Sequence, residues 1–273
     1  MAKLGIGPEI ALFVRRAGRV TRVRVHAAKR GIPMHRYLTA IVAMGACLFC
    51  AVPSQATPFQ IAPLPGVNSD LNAFYTNGFS YPQGGGLTVG GVPFTLTTVP
   101  GSSDTFVIQD PAFLGAPNPV GGTIFDIPVG VFGVTQVYTL MNSAFGVFGS
   151  NIASLEFIGS AGGDSVQFLI EGLNIRDHFN GGFNNVVTDP TIQTALFPDD
   201  VRLDMQTWNL PAAFESQTLD LIRFTTYGAP PDGEAFLAAA TVATVPEPAP
   251  FALLLAGLAG LAGLGLVRRR RAA

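Results

Sequence analysis

The stretch SVQFLIE, residues Ser165–Glu171, alternates apolar and polar side chains over most of its length. In an extended strand, one face carries Val166, Phe168 and Ile170, and the other carries the polar residues together with Leu169. A period of two residues is typical of a half-buried β-strand. The stretch therefore predicts a strand that packs one face against an apolar core.

Eight other short runs have the same character, with β-branched and aromatic residues bounded by Gly, Pro, Asn and Asp. They are Val92–Val99, Asp104–Gln109, Thr123–Val129, Gln136–Met141, Ala153–Ile158, Val201–Met205, Leu219–Thr226 and Ala235–Thr244. No stretch shows a strong helical period of 3.6 residues. We therefore expect an all-β domain over residues 57–245, an antiparallel β-sandwich of roughly nine to eleven strands. Residues 57–90 are expected to be a loop-rich lead-in.

The charges of the chain are segregated along its length. Residues 57–245 contain sixteen acidic residues, three arginines and no lysine, which gives a formal charge of about −13. Nucleic-acid binding depends on basic contacts to phosphate, so this acidic middle region argues against nucleic acid as a partner. Both cysteines, Cys47 and Cys50, precede it. The middle region therefore has neither a disulfide nor a thiolate metal site.

Residues 34–56 have the parts of a secretory signal peptide in the expected order. A short basic start is followed by an apolar stretch from Leu38 to Val52 and by Ser54-Gln55-Ala56. Signal peptidase requires small residues at these last positions, so we expect cleavage after Ala56. The alternative is an uncut membrane anchor, but the apolar run is about 15 residues, shorter than the roughly 20 that span a bilayer.

Residues 1–33 precede this signal and are rich in arginine. They are either an unusually long basic start of the signal peptide or an upstream extension, with translation beginning at Met34. The segment Met44-Gly45-Ala46-Cys47 faintly resembles a lipoprotein box, which makes lipidation a further alternative.

A second apolar segment follows the middle region. Residues 249–267 contain no charge and, as a helix, extend about 28 Å, close to the thickness of the hydrocarbon core of a bilayer. The next four residues are Arg268, Arg269, Arg270 and Arg271. Basic residues stay on the cytoplasmic side of a membrane, so the pattern predicts one transmembrane helix with the middle domain outside.

The run Val245-Pro246-Glu247-Pro248 stands directly before this helix. A proline-flanked glutamate, an apolar span and an arginine cluster in this order resemble the PEP-CTERM sorting signal of exported bacterial proteins, here over residues 246–273. The resemblance implies an intermediate anchored in the inner membrane that an exosortase, a membrane cysteine protease, recognises and cleaves. The protein then reaches the cell surface or is released, often in bacteria that make exopolysaccharide. A plain C-terminal anchor is the alternative.

The middle region carries another resemblance. The runs Gly91-Val92-Pro93-Phe94, Val137–Ser143 and Leu155–Ser160 occur in the order found in the galactose-binding-like jelly rolls of carbohydrate-binding modules. The resemblance covers about half of the domain, and residues 161–164 depart from the family's turn sequence. It implies a calcium-stabilised jelly roll that binds sugars at its loops.

Acidic residues near turns are the candidates for a calcium site. Calcium takes six to eight oxygen ligands, and Asp164, Glu171 and Asp177 are the predicted contributors. No Asp-x-Asp-x-Asp-Gly loop is present, and solvated turn residues are the alternative. No other cofactor is expected.

Two further side chains invite a functional interpretation. Trp208, the single tryptophan, is the candidate for stacking on a sugar ring, with a core position as the alternative. Arg176 is expected to pair with an acid in the neighbourhood of Asp177 and so to hold a loop.

Catalytic residue patterns are absent from the sequence. His178 is the only histidine after residue 56, so no histidine-based zinc or copper cluster is available, and no Gly-x-Ser-x-Gly motif marks a nucleophile. We therefore expect no enzymatic activity, with an extracellular hydrolase that uses a pair of carboxylates as the weakest alternative. The favoured function is a structural or interaction role at the bacterial surface, linked to exopolysaccharide. The second is a calcium-dependent carbohydrate-binding module.

Overall fold

Strands dominate the regular structure of this chain. A computed structural model describes residues 10–16, 19–25, 58–74, 80–116, 118–181, 184–228 and 232–245. The strands in these residues are β1 (Ile10–Arg16), β2 (Arg19–Val25), β3 (Phe59–Ala62), β4 (Ser69–Asp70), β5 (Gly85–Val89), β6 (Val92–Leu96), β7 (Phe106–Gln109), β8 (Thr123–Phe132), β9 (Val134–Ala144), β10 (Asn151–Gly159), β11 (Asp164–Ile170), β12 (Gln193–Leu196), β13 (Arg202–Asn209), β14 (Thr218–Thr226) and β15 (Glu234–Thr244). They are accompanied by one short helix, α1 (Leu71–Phe74), and by 3-10 turns at Pro111–Leu114, Pro198–Asp200 and Ala212–Ser216.

The first two strands form an antiparallel hairpin, with Ile10 opposite Val25 and Arg16 opposite Arg19. The hairpin lies within residues 1–33, where the sequence pattern indicated no strand. The other strands belong to a separate compact unit, Gln55–Ala249.

Four strands of the larger unit form one antiparallel sheet in the order β11-β10-β14-β8. Each neighbouring pair is connected along most of its length, as in the pairing of β14 with β8 from Thr218–Phe132 to Thr226–Thr123. β11 and β8 are therefore the edges of this sheet.

The edge strand β11 buries the opposite face from the one that its alternation favours. Leu169 lies opposite Ala153 of β10, and both side chains are fully buried. Val166 and Phe168 instead point outward and are 48% and 54% exposed. The register with β10 determines which face of β11 is buried. Residues of β11 that lie opposite buried residues of β10 point to the same side of the sheet and are buried with them.

Seven strands form a second sheet in the order β12-β13-β9-β15-β7-β4, with β3 also paired to β15. β9 accompanies β15 along one side from Glu234 to Thr244. On the other side, β7 pairs with the first half of β15 and β3 pairs with the second half. β15 is therefore the central strand, and all of its residues are buried.

Two apolar cores lie on the two faces of the seven-stranded sheet. The first lies between this sheet and the four-stranded sheet, and it includes Leu155, Phe224 and Leu237. The second lies on the opposite face, against the β5–β6 hairpin, and it includes Phe94 and Phe236. The domain thus has a sandwich core and an additional covering layer.

The central strand contributes to both cores through a change in its alternation. The register of β15 shifts between Leu237 and Ala239. Before the shift Ala235 and Leu237 belong to the first core, and after it Ala240 and Val242 do. One extra residue at a bulge reverses which side chains face a given side of a sheet.

All nine strands predicted from the sequence are present, as β6 to β11 and β13 to β15. The antiparallel sheets confirm the all-β class and are consistent with a sandwich, whereas a jelly-roll winding stays a prediction. Residues 57–90 are more ordered than the expected loop-rich lead-in, because they include β3, β4, β5 and α1. These elements are short, and β3 is held by its partner β15 from the far end of the domain. A local pattern gives little indication of such strands.

Candidate functional site

A groove of about 530 Å³ opens between the two sheets, where the edge of β11 approaches β13. We call it the edge groove. Its walls include the polar and apolar side chains of Gln167, Leu173, Asn174, Asp189, Trp208 and Asn209. Polar and apolar surface contribute about equally to the groove, and its volume lies within the range of small-molecule sites.

Trp208 forms part of the wall of the edge groove but is only 7% exposed. Its indole N–H donates a hydrogen bond to Thr139 Oγ1 at 2.9 Å, and its ring belongs to the core between the sheets. Only a small part of the indole therefore reaches the groove. Its burial fits the alternative of a core residue, and stacking on a sugar stays a prediction.

Two polar side chains of the edge groove are fixed by the backbone around them. Asn174 accepts the N–H of Ile170 at 2.9 Å and donates to the carbonyl oxygen of Phe168 at 2.8 Å. Asp189 accepts both the N–H and the hydroxyl of Thr191 through Oδ1, at 2.8 and 2.7 Å. Side chains that are already ordered lose little entropy when a ligand binds.

The three acids predicted as calcium ligands do not meet at one place. Asp164 is exposed at the start of β11, and Glu171 follows the other end of that strand, about 23 Å away in an extended chain. Glu171 and Asp177 are both buried and are neighbours, since the charge of Asp177 helps to raise the pKa of Glu171. No group of three or more His, Cys, Asp or Glu side chains in the described ranges is arranged to hold a metal ion.

Glu171 is enclosed between two glycines. A Cβ atom at Gly146 or Gly233 would come within 2.6–2.8 Å of its carboxyl group. Asn184 donates to Oε2 at 2.9 Å, while Oε1 has no hydrogen-bond partner in the described part of the chain. Burial raises the pKa of Glu171 to about 8, and the nearby charge of Asp177 acts in the same direction. The carboxyl group is therefore mostly protonated at neutral pH.

Two arginines hold residues 176–180 and Asn185 against β13, and with their acids we call them the arginine network (Arg176, Arg202, Asp177, Asp204). Arg176 forms a two-point ion pair with buried Asp204, with Nε–Oδ2 at 2.7 Å and Nη2–Oδ1 at 3.0 Å. Arg202 is 2% exposed and donates from Nε and Nη2 to the carbonyl oxygen of Asp177, at 2.9 and 2.7 Å. The prediction that Arg176 pairs with an acid and holds a loop is confirmed, with Asp204 of β13 as the acid.

His178 lies beside the arginine network and is buried. Its Nδ1 is hydrogen-bonded to the hydroxyl of Tyr81, and its ring packs against Phe236 with centroids 6.0 Å apart. Burial lowers the pKa of His178 to about 3, and the positive charge of Arg202 acts in the same direction. The imidazole is therefore neutral at physiological pH and serves packing and hydrogen bonding.

Sequence reasoning did not single out a second pair of buried acids, Asp110 and Glu234. Asp110 follows β7 and Glu234 begins β15, and both side chains are fully buried. Burial raises the pKa of both carboxyl groups, that of Glu234 to about 7, with the charge of Asp110 as a second cause for Glu234. Their sequence context resembles that of solvated turn residues, and the only available signal is that Glu234 directly precedes a long apolar strand.

Most predicted features of the two ends lie outside the described residues. These are the extension over residues 1–33 except for its hairpin, the signal peptide over residues 34–56 with Ala56, the sorting residues Pro246, Glu247 and Pro248, the helix over residues 249–267, and Arg268, Arg269, Arg270 and Arg271. Val245 is described: it is 42% exposed, and its N–H donates to the carbonyl oxygen of Gly133 at 3.0 Å. None of the helices in the described part combines the length and the hydrophobicity needed to cross a membrane.

Comparison with protein-family models and with curated proteins finds no match to this chain.

Proposed function

We propose that this chain is an exported bacterial surface protein, sorted through a PEP-CTERM signal, with a non-catalytic role in contact with extracellular polysaccharide. The observation that carries the proposal is the order of Val245-Pro246-Glu247-Pro248, the uncharged residues 249–267 and the four arginines. The prolines prevent a helix from continuing outward, the uncharged run matches the thickness of a bilayer, and the arginines remain on the cytoplasmic side. An exosortase and the inner membrane are the partners during sorting.

The middle domain has properties that suit a location outside the cell. It contains no cysteine, so its stability does not depend on the redox state of the compartment. Its stability comes from two apolar cores built on the central strand β15. Its charge of about −13 favours solubility and repels anionic polymers. Neutral polysaccharides are therefore the favoured partners.

Mass spectrometry of the protein isolated from its bacterial host tests the sorting. We expect a mature N-terminus at Thr57 and a C-terminus near Pro248. The variant Glu247→Gln keeps the apolar run and the arginines but removes the charge of the motif, so we expect it to retain the C-terminal segment. Detection of Arg268–Arg271 on the wild-type surface protein contradicts the proposal.

A second candidate function, carbohydrate binding, is favoured by the edge groove. The groove combines apolar surface from Leu173 with fixed polar groups at Asn174 and Asp189, and sugars present both kinds of surface. The site has no cluster of basic residues, which again favours neutral glycans. In this second candidate function, the β-sandwich recognises one class of glycan. The sorting signal then determines only the location of the protein.

Trp208 provides a direct readout of binding in the edge groove, because it is the only tryptophan of the chain. We expect that a glycan selected on an array changes the intensity or wavelength of Trp208 emission in a saturable manner. Glycan binding that leaves this emission unchanged places the ligand elsewhere and contradicts the assignment to the groove. A folded protein that binds no glycan supports the purely structural role.

A matched pair of leucine variants tests whether glycans bind in the edge groove or elsewhere on the surface. Leu173 lines the groove and is 45% exposed, whereas Leu114 lies elsewhere and is 49% exposed. We expect Leu173→Ala to weaken glycan binding several-fold and Leu114→Ala to leave it unchanged, with similar small effects on stability. Equal affinities for the two variants contradict the assignment.

A further inference from the structure

The loop after His178 contains an asparagine that is directly followed by a glycine, Asn180-Gly181. Both residues lie in a turn and are exposed to solvent. An asparagine loses its side-chain amide when the next backbone nitrogen attacks the side-chain carbonyl carbon. A glycine at the next position favours this attack, because it has no side chain that crowds the approach and its backbone is conformationally free. The pair is therefore a candidate site of spontaneous covalent modification.

The backbone of this pair is held at the asparagine and open at the glycine. The N–H of Asn180 donates to the carbonyl oxygen of Asp200 at 2.8 Å, and the preceding Phe179 forms an antiparallel bridge with Val201. The N–H of Gly181 has no hydrogen-bond partner within the described residues. This nitrogen is the attacking atom, so it loses its proton to water without breaking a hydrogen bond of the fold.

A positively charged side chain contacts the carbonyl group that is attacked. Arg202 is only 2% exposed, but its Nη1 donates to Oδ1 of the exposed Asn180 at 3.0 Å. Attack on an amide carbon moves negative charge onto the amide oxygen, and a donor that is already in place stabilises this charge. A guanidinium is a strong donor for this purpose because it carries a full positive charge. The contact with Arg202 therefore favours the reaction at Asn180.

The other hydrogen bonds that Arg202 makes within the described residues also go to uncharged oxygens. They are the carbonyl oxygens of Asp177 and Phe179 and the side-chain oxygen of Asn185. Burial lowers the pKa of Arg202, and the positive charge of Arg176 acts in the same direction, while the charges of Asp204 and Asp177 oppose it. A buried cation whose acceptors are neutral favours a new negative charge beside it.

We propose that Asn180 is a site of spontaneous deamidation and that Arg202 promotes the reaction. The nitrogen of Gly181 gives its proton to the solvent and forms a bond to Cγ of Asn180. The bond between Cγ and Nδ2 then breaks, and Nδ2 takes a proton from the solvent and leaves as ammonia. Water adds to one carbonyl carbon of the resulting cyclic imide and opens it to aspartate or isoaspartate. One water is consumed and one ammonia is released, so the reaction requires no other reactant.

The aspartate product places a carboxylate where the amide of Asn180 was. One oxygen of the new carboxylate takes the place of Oδ1, so the hydrogen bond from Arg202 becomes an ion pair. The arginine network then gains a counter-charge at its exposed end. The modification accumulates with the age of the folded chain, and the proposal does not depend on export or on glycan binding.

Peptide mapping by mass spectrometry tests the proposal on the full chain, which is kept for weeks at neutral pH either folded or unfolded in urea. Restriction of the backbone by folding normally slows deamidation. We expect the opposite at Asn180, with a rate several-fold higher in the folded chain, because only folding places Arg202 beside it. The second Asn-Gly pair of the chain, Asn77-Gly78, is the internal control for the effect of urea, and we expect no acceleration there.

The variant Arg202→Gln removes the positive charge and keeps a polar side chain, and we expect the folded variant to lose the acceleration at Asn180. A rate at Asn180 that is equal or lower in the folded wild-type chain overturns the proposal. An acceleration that Asn77 shares, or that persists in folded Arg202→Gln, also overturns it, because the guanidinium is then not its cause. If Arg202→Gln does not fold, the comparison of the folded and unfolded wild-type chain decides alone.

Discussion

The arginine network and the buried acids Asp110 and Glu234, which we call the acid pair, are both groups of charged side chains, yet they are neutralised in different ways. In the arginine network, Asp204 meets Arg176 in a two-point ion pair and accepts further hydrogen bonds from Asn142 and Thr194. In the acid pair, Glu234 has no hydrogen-bond partner for either oxygen within the described residues. The first group is neutralised by opposite charge within the polypeptide, whereas burial raises the pKa of both acids of the second and so favours their protonated form.

This difference shows how an acidic domain with only three arginines distributes its positive charge. Arg176 and Arg202 are placed where residues 176–180 and Asn185 are held against the seven-stranded sheet. Asp110 and Glu234 have no arginine partner within the described residues, and burial favours their neutral form instead.

The largest expected effect comes from the matched substitutions Asp204→Asn and Glu234→Gln, each of which removes one buried carboxyl group. Asp204→Asn leaves the guanidinium of Arg176, whose side chain is only 16% exposed, without its counter-charge and should cost about 3–5 kcal/mol. Glu234→Gln removes an acid that has no opposite charge beside it and should be neutral or stabilising. Urea unfolding of the full chain measures both. Equal losses for the two variants contradict the distinction between the two kinds of neutralisation.

The pH dependence of stability is the next largest effect. The folded-state pKa values of Glu171 and Glu234 are about 8 and about 7, above the unfolded value of 4.5. An acid with a raised pKa contributes stability that is full below the unfolded value and is lost as pH rises through the folded value. We therefore expect the free energy of unfolding to fall by about 2–3 kcal/mol as the pH rises from 6.5 to 8.

His178 does not contribute between pH 6.5 and 8. Its pKa is lowered on folding, so its effect on stability changes with pH in the opposite direction. Its contribution is present above the unfolded value of 6.5 and is lost as pH falls from there toward 3. Stability is measured by urea unfolding at several pH values, and Glu171→Gln should remove most of the slope. A wild-type stability that is constant between pH 6.5 and 8 shows that these carboxyl groups are charged in the folded state.

A pair of glycines tests how tightly Glu171 is enclosed. Gly146 and Gly85 have the same φ of +128°, so alanine suffers equal backbone strain at both. A Cβ at Gly146 meets the carboxyl group of Glu171, whereas a Cβ at Gly85 meets nothing within 4 Å. We expect Gly146→Ala to cost about 1–3 kcal/mol more than Gly85→Ala in urea unfolding. Equal costs show that the carboxyl group has room to move.

The smallest effect is expected at the exposed ion pair on the outer face of the four-stranded sheet. Arg223 contacts Asp126 and Glu156, with Asp126 47% exposed. Exposed pairs of this kind contribute about 0–1 kcal/mol, so Arg223→Gln should change the free energy of unfolding by less than about 1 kcal/mol. If Arg223→Gln lowers the free energy of unfolding as much as Asp204→Asn does, burial does not explain the difference between the two ion pairs.

The sequence indicated the strands well because most of them carry their own pattern. Asp104–Gln109 alternates and contains strand β7, and Leu219–Thr226 is rich in apolar and β-branched residues and lies in strand β14. The alternation of β11 was misleading about its buried face, because β11 is an edge strand whose orientation follows the register with β10. The short strands β3 and β4 carry no such pattern and depend on partners that are distant in sequence.

The acid pair was not predictable from local sequence. Asp110 and Glu234 are 124 positions apart and come near each other only because β7 and β15 pair. Each acid stands next to turn residues, where exposure is the usual expectation. The ion-pair partner of Arg176 was also not predictable from local sequence. Arg176 lies in a loop and Asp204 in a strand that is distant in sequence, and only the fold brings them together.

The titration of the Glu234 carboxyl group is the most direct test of the claim that the acid pair is neutralised by protonation. Carbon-13 NMR follows this titration, and Glu234→Gln assigns its signal. The predicted result is a pKa of about 7, raised by burial and by the charge of Asp110. A carboxyl group that stays ionised down to about pH 5 contradicts the claim.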